Sequence, residues 1–132
     1  MRLLEPRADG EETIDTLRQA LKLASRADVS PEAAITKLGL GWIGEEALAI
    51  ATYASIRGGD FREVVRIAAN HDGDSDSTAS IAAQIRAARD GLDGVPMAWV
   101  RRLDVLDPLL VLAHDLWALT SGAAKIGAYP PN

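Results

Sequence analysis

The sequence predicts an all-α fold, and three features of the chain support that prediction. Apolar residues recur at intervals of three and four along most of the chain, which is the periodicity of amphipathic helices. No stretch alternates apolar and polar residues with the β-branched enrichment of a half-buried strand. Serine, aspartate, proline and glycine stand where helices would begin and end. We therefore expect a single all-α domain over residues 1–132.

The first two predicted helices lie in the N-terminal third of the chain. The first spans about 12–27, and its apolar stripe consists of Ile14, Leu17, Leu21 and Ala24. The second begins after Ser30, an N-cap residue, with Pro31 in its first turn, and ends near Gly39. Both helices are therefore expected to pack one face on a core.

A pair of glycines and an aspartate separate the third and fourth predicted helices. The third runs over about 44–56 and ends where the glycine pair begins. Asp60 then caps the fourth helix, 61–69. In the first turn of the third helix, Glu45 and Glu46 suit the positive end of the helix dipole.

Three more helices complete the predicted fold. The fifth follows the loop 70–75, and the apolar residues along one of its sides are Ile81, Ile85, Ala88 and Leu92. The sixth is short and spans 96–103, since Pro96 suits a first turn. The last begins at Asp104 or Asp107 and ends near Gly122.

Composition and charge exclude several classes of function. The chain has 132 residues, 48% of them hydrophobic and 25% charged, which suits one soluble globular domain. Its net charge of −5 and its lack of a lysine or arginine run argue against nucleic acid as a partner, because phosphates require a basic face. The longest apolar stretch, 109–113, is far shorter than the roughly 18 residues of a membrane helix.

The chain contains no cysteine. This composition excludes disulfides, thiolate zinc sites and cysteine nucleophiles. We expect a cytoplasmic protein, and we expect the residues 129–132, which include two prolines, to form an unstructured end.

The candidate metal-binding residues lie in one acidic segment, residues 71–78, with the sequence HDGDSDST. Asp72, Asp74 and Asp76 lie within five residues and have no lysine or arginine beside them. Two carboxylates ~4 Å apart would repel by about 4 kcal/mol at an effective dielectric of about 20. Carboxylate and hydroxyl oxygens crowded around a glycine are the ligands that magnesium, manganese or calcium would use.

The acidic segment is also compatible with two roles besides a magnesium or manganese site. Ser75 or Asp76 would serve simply as the N-cap of the fifth helix, with the remaining acids favoured by the helix dipole. A calcium EF-hand loop would also use the three aspartates. It fits poorly, because Ser77 stands where the loop needs glycine and Ala83 where it needs glutamate.

The acidic segment resembles the C-terminal signature of the ADP-ribosylglycohydrolases, a G-G-D-[ST]-D-[ST] turn that enters a helix; here residues 69–82 are ANHDGDSDSTASIA. Upstream, GLGWIGEEALA at 39–49 resembles the family's glycine-aromatic loop and the following helix, and RGGDFRE at 57–63 its next connection. Downstream, GLDGVPMAW at 91–99 resembles the family's G-x₃-[IV]-P-x-x-W element. Order and spacing agree over about 38–103.

The resemblance implies an all-α hydrolase that cleaves the glycosidic bond between ADP-ribose and a protein side chain, often arginine, or a related ADP-ribose compound. It implies a binuclear magnesium centre, with manganese as a possible substitute, whose ligands in this chain are Asp74, Asp76 and Ser77. Two cations of this kind would position the ribose hydroxyls and a water molecule. We expect the two aspartates on the same side of an extended turn, with Ser77 entering the helix.

The resemblance also implies substrate contacts from Trp42, His71 and Gly73. Trp42 would stack on the adenine or border the ADP-ribose cleft, although a tryptophan at such a place is as often a core anchor. His71 would contact a phosphate or act as an acid or base. Alternatively, it is an ordinary loop residue.

The family's other metal ligands and its catalytic acidic residue lie in an N-terminal portion with no evident counterpart in 1–27. We therefore expect a domain truncated at the N-terminal side, with an incomplete metal centre and no identified catalytic residue. In addition, Asp72 replaces the first glycine of the family's pair. The alternative function is a catalytically inactive domain that binds ADP-ribose or a metal ion.

Apolar side chains surround the last predicted helix; they are Val105, Leu106, Leu109, Leu110, Val111, Leu112, Leu116, Trp117 and Leu119. Such a distribution is typical of a helix that is buried on nearly all sides. Full burial is difficult in a domain of this size, so we expect a partner surface. Besides ADP-ribose or ADP-ribosylated protein, the expected partners are an N-terminal half in trans or a second copy of the chain.

Overall fold

The computed structural model describes residues 10–122, which contain seven α-helices and no β-strand. The helices are α1 (Glu11–Ala24), α2 (Pro31–Leu38), α3 (Gly44–Arg57), α4 (Phe61–Ala69), α5 (Ser75–Asp90), α6 (Met97–Val100) and α7 (Leu106–Thr120). A 3₁₀ turn, Leu92–Gly94, follows α5. The predicted all-α fold is confirmed for this part of the chain, and the predicted unstructured end 129–132 lies outside it.

The chain divides into two compact units, one ending at Pro96 and the other beginning at Met97. In the first unit α3 is central, because it packs against α1, α2, α4 and α5. Its buried residues include Ala49, Ala51 and Ala54, and these small side chains let four helices approach one helix closely. Tyr53 and Ile50 are also fully buried and fill the space between the helices.

Two helices, α2 and α4, begin at the capping residues that the sequence predicts, whereas the start of α7 at Asp104 or Asp107 was wrong, because its N-cap is Val105, which makes no side-chain cap. The Ser30 hydroxyl accepts a hydrogen bond from the Ala33 amide at 3.2 Å, and Pro31 is the first residue of α2. The Asp60 carboxylate accepts one from the Glu63 amide at 2.8 Å. These bonds satisfy N–H groups that the first helical turn leaves without a partner.

The buried face of α5 differs from the predicted apolar stripe. Thr78, Ala82 and Arg86 are buried, whereas Ile85 and Leu92 of the predicted stripe are exposed. The polar side chains tolerate burial because neighbouring backbone carbonyls bind them: Thr78 donates to one carbonyl of α4, and Arg86 to two carbonyls of the turn before α4. Burial of these two polar side chains therefore depends on hydrogen bonds that they donate to carbonyls outside α5.

Most apolar side chains of α7 are exposed. Among its residues only Ala118 is buried, while Val111, Leu116 and Trp117 are 60%, 56% and 62% exposed. The predicted burial of α7 on nearly all sides is therefore not found in the part of the chain that the structure describes. The unit that begins at Met97 has too few residues for such a core. Within residues 10–122 there is no helix whose length and apolar character would let it span a membrane.

Removal of the buried guanidinium in α5 should lower the free energy of unfolding by about 2 kcal/mol. The Arg86 side chain donates to the Gly58 carbonyl at 2.8 Å, to the Gly59 carbonyl at 2.7 Å and to the Asp90 carboxylate. In Arg86→Met the Gly58 carbonyl is left buried without this donor. Urea denaturation measures the effect.

The matched control is Arg89→Met, because Arg89 is 55% exposed and binds the same carboxylate, Asp90. An exposed ion pair contributes about 1 kcal/mol or less. Equal losses of stability in the two variants would show that the bonds from Arg86 to the turn carbonyls contribute nothing.

Candidate functional site

Asp74 caps α5 in the acidic segment, residues 71–78. Its Oδ1 accepts a hydrogen bond from the Ser77 amide at 3.4 Å, and the helix begins at Ser75. The N-cap is therefore Asp74, and not Ser75 or Asp76 as the sequence suggested. The bond is long, and it occupies only one of the four lone-pair positions of a carboxylate.

Asp76 lies in the first turn of α5 and is exposed. The extended turn expected for Asp74 and Asp76 is therefore wrong, because the helix already begins between them. Their carboxyl groups are nevertheless neighbours. The pKa of Asp74 lies below its ordinary value, first because the Ser77 hydroxyl bonds to it and next because the Asp76 carboxyl does. Desolvation opposes this lowering of the pKa, while the Ser77 amide and the electrostatic effect of His71 add to it.

The buried side chain of Thr78 holds the acidic segment to α4 by a hydrogen bond. The side chain is completely buried, and its hydroxyl donates to the Ala68 carbonyl at 2.7 Å. Since a hydroxyl has one proton, the ring Nε2 of His71, 2.9 Å away, is the donor to Thr78. The ring Nδ1 in turn accepts from the Gly73 amide at 3.1 Å. Both ring nitrogens of His71 are therefore occupied within the segment.

The glycine loop, residues 39–43, packs directly on the acidic segment. The Leu40 carbonyl accepts a hydrogen bond from the Asp74 amide at 2.8 Å. A Cβ on Gly73 would lie 1.8 Å from the Leu40 oxygen, so only glycine allows this approach. Gly41 has φ +78°, and a Cβ there would lie 2.8 Å from Thr78 Cγ2. The two glycines bring the loop and the segment into backbone contact.

Glu46 holds the glycine loop, a role that was not predicted from the sequence. Its Oε2 accepts hydrogen bonds from the Leu40 amide at 3.1 Å and from the Gly41 amide at 2.9 Å. The sequence suggested only an interaction of Glu46 with the dipole of its own helix. The N-cap of α3 is Ile43, which makes no side-chain cap. Glu46 lies three residues after it, a position from which a glutamate bonds back to the backbone before the helix, and this spacing is the signal that could have identified its role.

Trp42 is 67% exposed in the glycine loop. The alternative that it anchors the core is therefore wrong. Leu40 and Ile43 are each 50% exposed, so the loop presents an apolar surface next to the aspartates that begin α5. An exposed indole on a loop fixed by hydrogen bonds is available for stacking on an aromatic ring.

A cavity of about 350 Å³ adjoins the acidic segment. Its walls come from α2, from Gly39 and Leu40 of the glycine loop, and from the residues 70–72. Its volume is at the lower end of the range for small-molecule sites. The glycine loop and the acidic segment, which contains the aspartates, therefore both line this cavity.

The donor set at the start of α5 consists of oxygen atoms. Asp74, Asp76 and Ser77 offer two carboxylates and a hydroxyl, which suit a hard cation such as Mg²⁺. Over residues 10–122, no three or more histidine, cysteine, aspartate or glutamate side chains are grouped so that they could hold a metal ion. The three residues therefore offer at most part of a ligand shell.

Replacement of Thr78 by valine, which has nearly the same shape, should lower the free energy of unfolding by about 2 kcal/mol. The variant leaves the Ala68 carbonyl and the Nε2–H of His71 without their partner. Thermal and urea unfolding measure the loss.

Thr36→Val is the matched control, because the exposed Thr36 hydroxyl bonds only to the Glu32 carbonyl of its own helix, at 2.9 Å. We expect a change within about 0.5 kcal/mol for this control. If Thr78→Val is no less stable than the control, the buried hydroxyl does not hold the segment.

Comparison with known proteins identifies the family of the chain. The model of the family described as ADP-ribosylglycohydrolase matches residues 2–125. The match extends beyond 38–103, where order and spacing agree with the family's motifs. No curated protein and no solved structure matches the chain significantly. Since the family match covers nearly the whole sequence, the chain belongs to the ADP-ribosylglycohydrolase family.

Proposed function

We propose that this chain takes part in the magnesium-dependent hydrolysis of the glycosidic bond between ADP-ribose and a protein side chain, or a related ADP-ribose compound. One observation carries most of the support for this proposal. The bond from the Asp74 amide to the Leu40 carbonyl sets an exposed tryptophan loop beside two adjacent carboxylates. A nucleotide ligand requires both a surface for its base and a cation for its charged or polar part.

Asp74, Asp76 and Ser77 would hold the cation. Mg²⁺ in proteins commonly keeps several water ligands and uses one or two carboxylates, so this donor set fits it, and Mn²⁺ accepts the same oxygens. When bound, a pair of such cations supplies Lewis-acid stabilisation of the charge that develops as the bond breaks.

The remaining residues orient the ligand. Trp42 would stack on the adenine or close one side of the ADP-ribose cleft, since its indole is exposed on a fixed loop. Gly73 lets the glycine loop and the acidic segment meet, so the ligand faces backbone rather than a side chain at this point. Both ring nitrogens of His71 bond within the segment, so a contact between His71 and a phosphate would require one of these bonds to break.

The rest of the metal centre would come from another polypeptide. A partner half in trans or a second copy of the chain would supply carboxylates to complete the shell. A second candidate function is binding of ADP-ribose or of a cation without hydrolysis. It is supported by the small donor set, because two carboxylates that both hold a cation leave neither of them free to act as a general acid or base.

The test measures ADP-ribose binding by calorimetry, with Mg²⁺ or with a chelator, together with release of ADP-ribose from ADP-ribosyl-arginine protein. We expect magnesium-enhanced binding that Trp42→Ala weakens about 10-fold, since a stacked base contributes ~1–3 kcal/mol. Trp117→Ala removes another exposed tryptophan and should change nothing.

Release by the chain, or release that appears only after a partner half is added, identifies a hydrolase. Binding without release under both conditions supports the second candidate. If the chain binds neither ADP-ribose nor Mg²⁺, and no release appears after a partner half is added, both functions are contradicted.

A further inference from the structure

Leu40 connects two elements of the candidate site through its own peptide groups. Its N–H donates to Glu46 Oε2 at 3.1 Å, and its carbonyl accepts from the Asp74 amide at 2.8 Å. The carboxylate on α3 and the cap residue of α5 are therefore linked through a single residue of the glycine loop. A shift of Leu40 would move the amide of Asp74 with it.

The approach of Glu46 to the loop depends on Gly39. Gly39 has φ +119°, and a Cβ at this residue would lie 2.3 Å from Glu46 Cδ. The carboxylate therefore occupies the space that a side chain at position 39 would need. Because an ionised acceptor forms stronger hydrogen bonds than a neutral one, the charge of Glu46 strengthens its hold on the Leu40 and Gly41 amides.

We propose that Glu46 is a positioning residue, whose carboxylate holds the glycine loop so that Trp42 and the Asp74 carboxylate stay in one fixed arrangement. This inference rests on the proposed function for its consequence in binding. Glu46 is not part of the proposed donor set, which consists of Asp74, Asp76 and Ser77. It acts through Leu40, whose carbonyl fixes the backbone at Asp74.

The test compares Glu46→Ala, Glu46→Gln and Glu45→Ala with the wild-type chain. Glu45 is the matched control, since it lies in the same helical turn and its side chain makes no hydrogen bond within residues 10–122. Two quantities are measured below the melting temperature of every variant: amide hydrogen exchange at Asp74, and Mn²⁺ affinity by calorimetry.

We expect Glu46→Ala to speed exchange at the Asp74 amide at least ~10-fold and to weaken Mn²⁺ binding about 10-fold, as loss of an outer-sphere partner does. Glu46→Gln keeps an oxygen acceptor and should recover most of both quantities. Glu45→Ala should match the wild type. The Gly58 amide, which bonds to the Ala54 carbonyl at 2.9 Å within the same unit, should keep its exchange rate in all variants.

Three results would overturn the inference. Exchange at Asp74 that is unchanged in Glu46→Ala would show that the carboxylate does not fix this backbone. Equal acceleration at Gly58 and Asp74 would show a general loss of stability. Failure of Glu46→Gln to recover protection would exclude a role for the acceptor oxygen. If the wild type binds no Mn²⁺, the cation site proposed above is wrong, and exchange at Asp74 alone decides the role of Glu46.

Discussion

Replacement of Gly73 by alanine should lower the free energy of unfolding by about 3 kcal/mol, through overpacking and a lost hydrogen bond. The new Cβ would lie 1.8 Å from the Leu40 oxygen and 2.5 Å from its carbonyl carbon. Both are backbone atoms, so no side-chain rotation relieves the clash. The glycine loop must move away, and the bond from the Asp74 amide to Leu40 breaks. Urea denaturation measures the loss, and calorimetry with Mn²⁺ measures the consequence for the site.

Gly44→Ala provides the control for Gly73→Ala. Gly44 is the first residue of α3, and a Cβ there meets no atom within 4 Å. Alanine forms helix more readily than glycine, so this variant should be as stable as the wild type or slightly more so. If Gly73→Ala unfolds at the same urea concentration as Gly44→Ala, the contact between loop and segment is not tight in solution.

The starts of α2 and α4 were predictable because they depend on neighbouring residues. Ser30 and Asp60 cap α2 and α4 by bonds to amides three residues later, which the order of residue types already indicates. The observed helix α4, Phe61–Ala69, matches the predicted 61–69. Caps of this kind can be predicted from a few consecutive residues, because the two bonded residues are close in sequence.

The buried face of α5 was not predictable by the same means. Its polar residues Thr78 and Arg86 are buried because carbonyls at Ala68, Gly58 and Gly59 accept their protons. For Arg86 these partners lie 27 and 28 residues away in sequence. Apolar periodicity contains no information about such partners, so it selected a neighbouring face of the helix.

The candidate site divides in the same way into predicted and missed parts. The aspartates of the acidic segment and Trp42 could be identified from residue types and motif spacing. The hold of Glu46 on the glycine loop and of Thr78 on the segment depends on how α3 and α5 pack. A glutamate and a threonine near the start of a helix have ordinary local roles there, so the sequence does not reveal these contacts.

Asp74→Asn and Asp76→Asn should each weaken Mg²⁺ or Mn²⁺ binding by about 100-fold or more, because partners of metal ligands alone contribute ~10–100-fold. Each change removes one negative charge from a pair of adjacent carboxyl groups. Asparagine caps helices about as well as aspartate, so Asp74→Asn keeps the start of α5 and should unfold near the wild-type temperature. Calorimetric titration with Mn²⁺ measures affinity, and circular dichroism confirms that the helices persist.

Asp72→Asn is the control that separates coordination from general charge. Asp72 lies two residues before Asp74, is exposed, and loses the same charge when replaced by asparagine. As a nearby charge that is not a ligand, it should change cation affinity only severalfold, and this difference should shrink as added salt screens the surface. If all three variants lose affinity equally and salt removes the loss, the acidic segment attracts cations without coordinating one. If only the Asp74 and Asp76 variants lose it, and the loss persists in salt, these two carboxylates bind the ion directly.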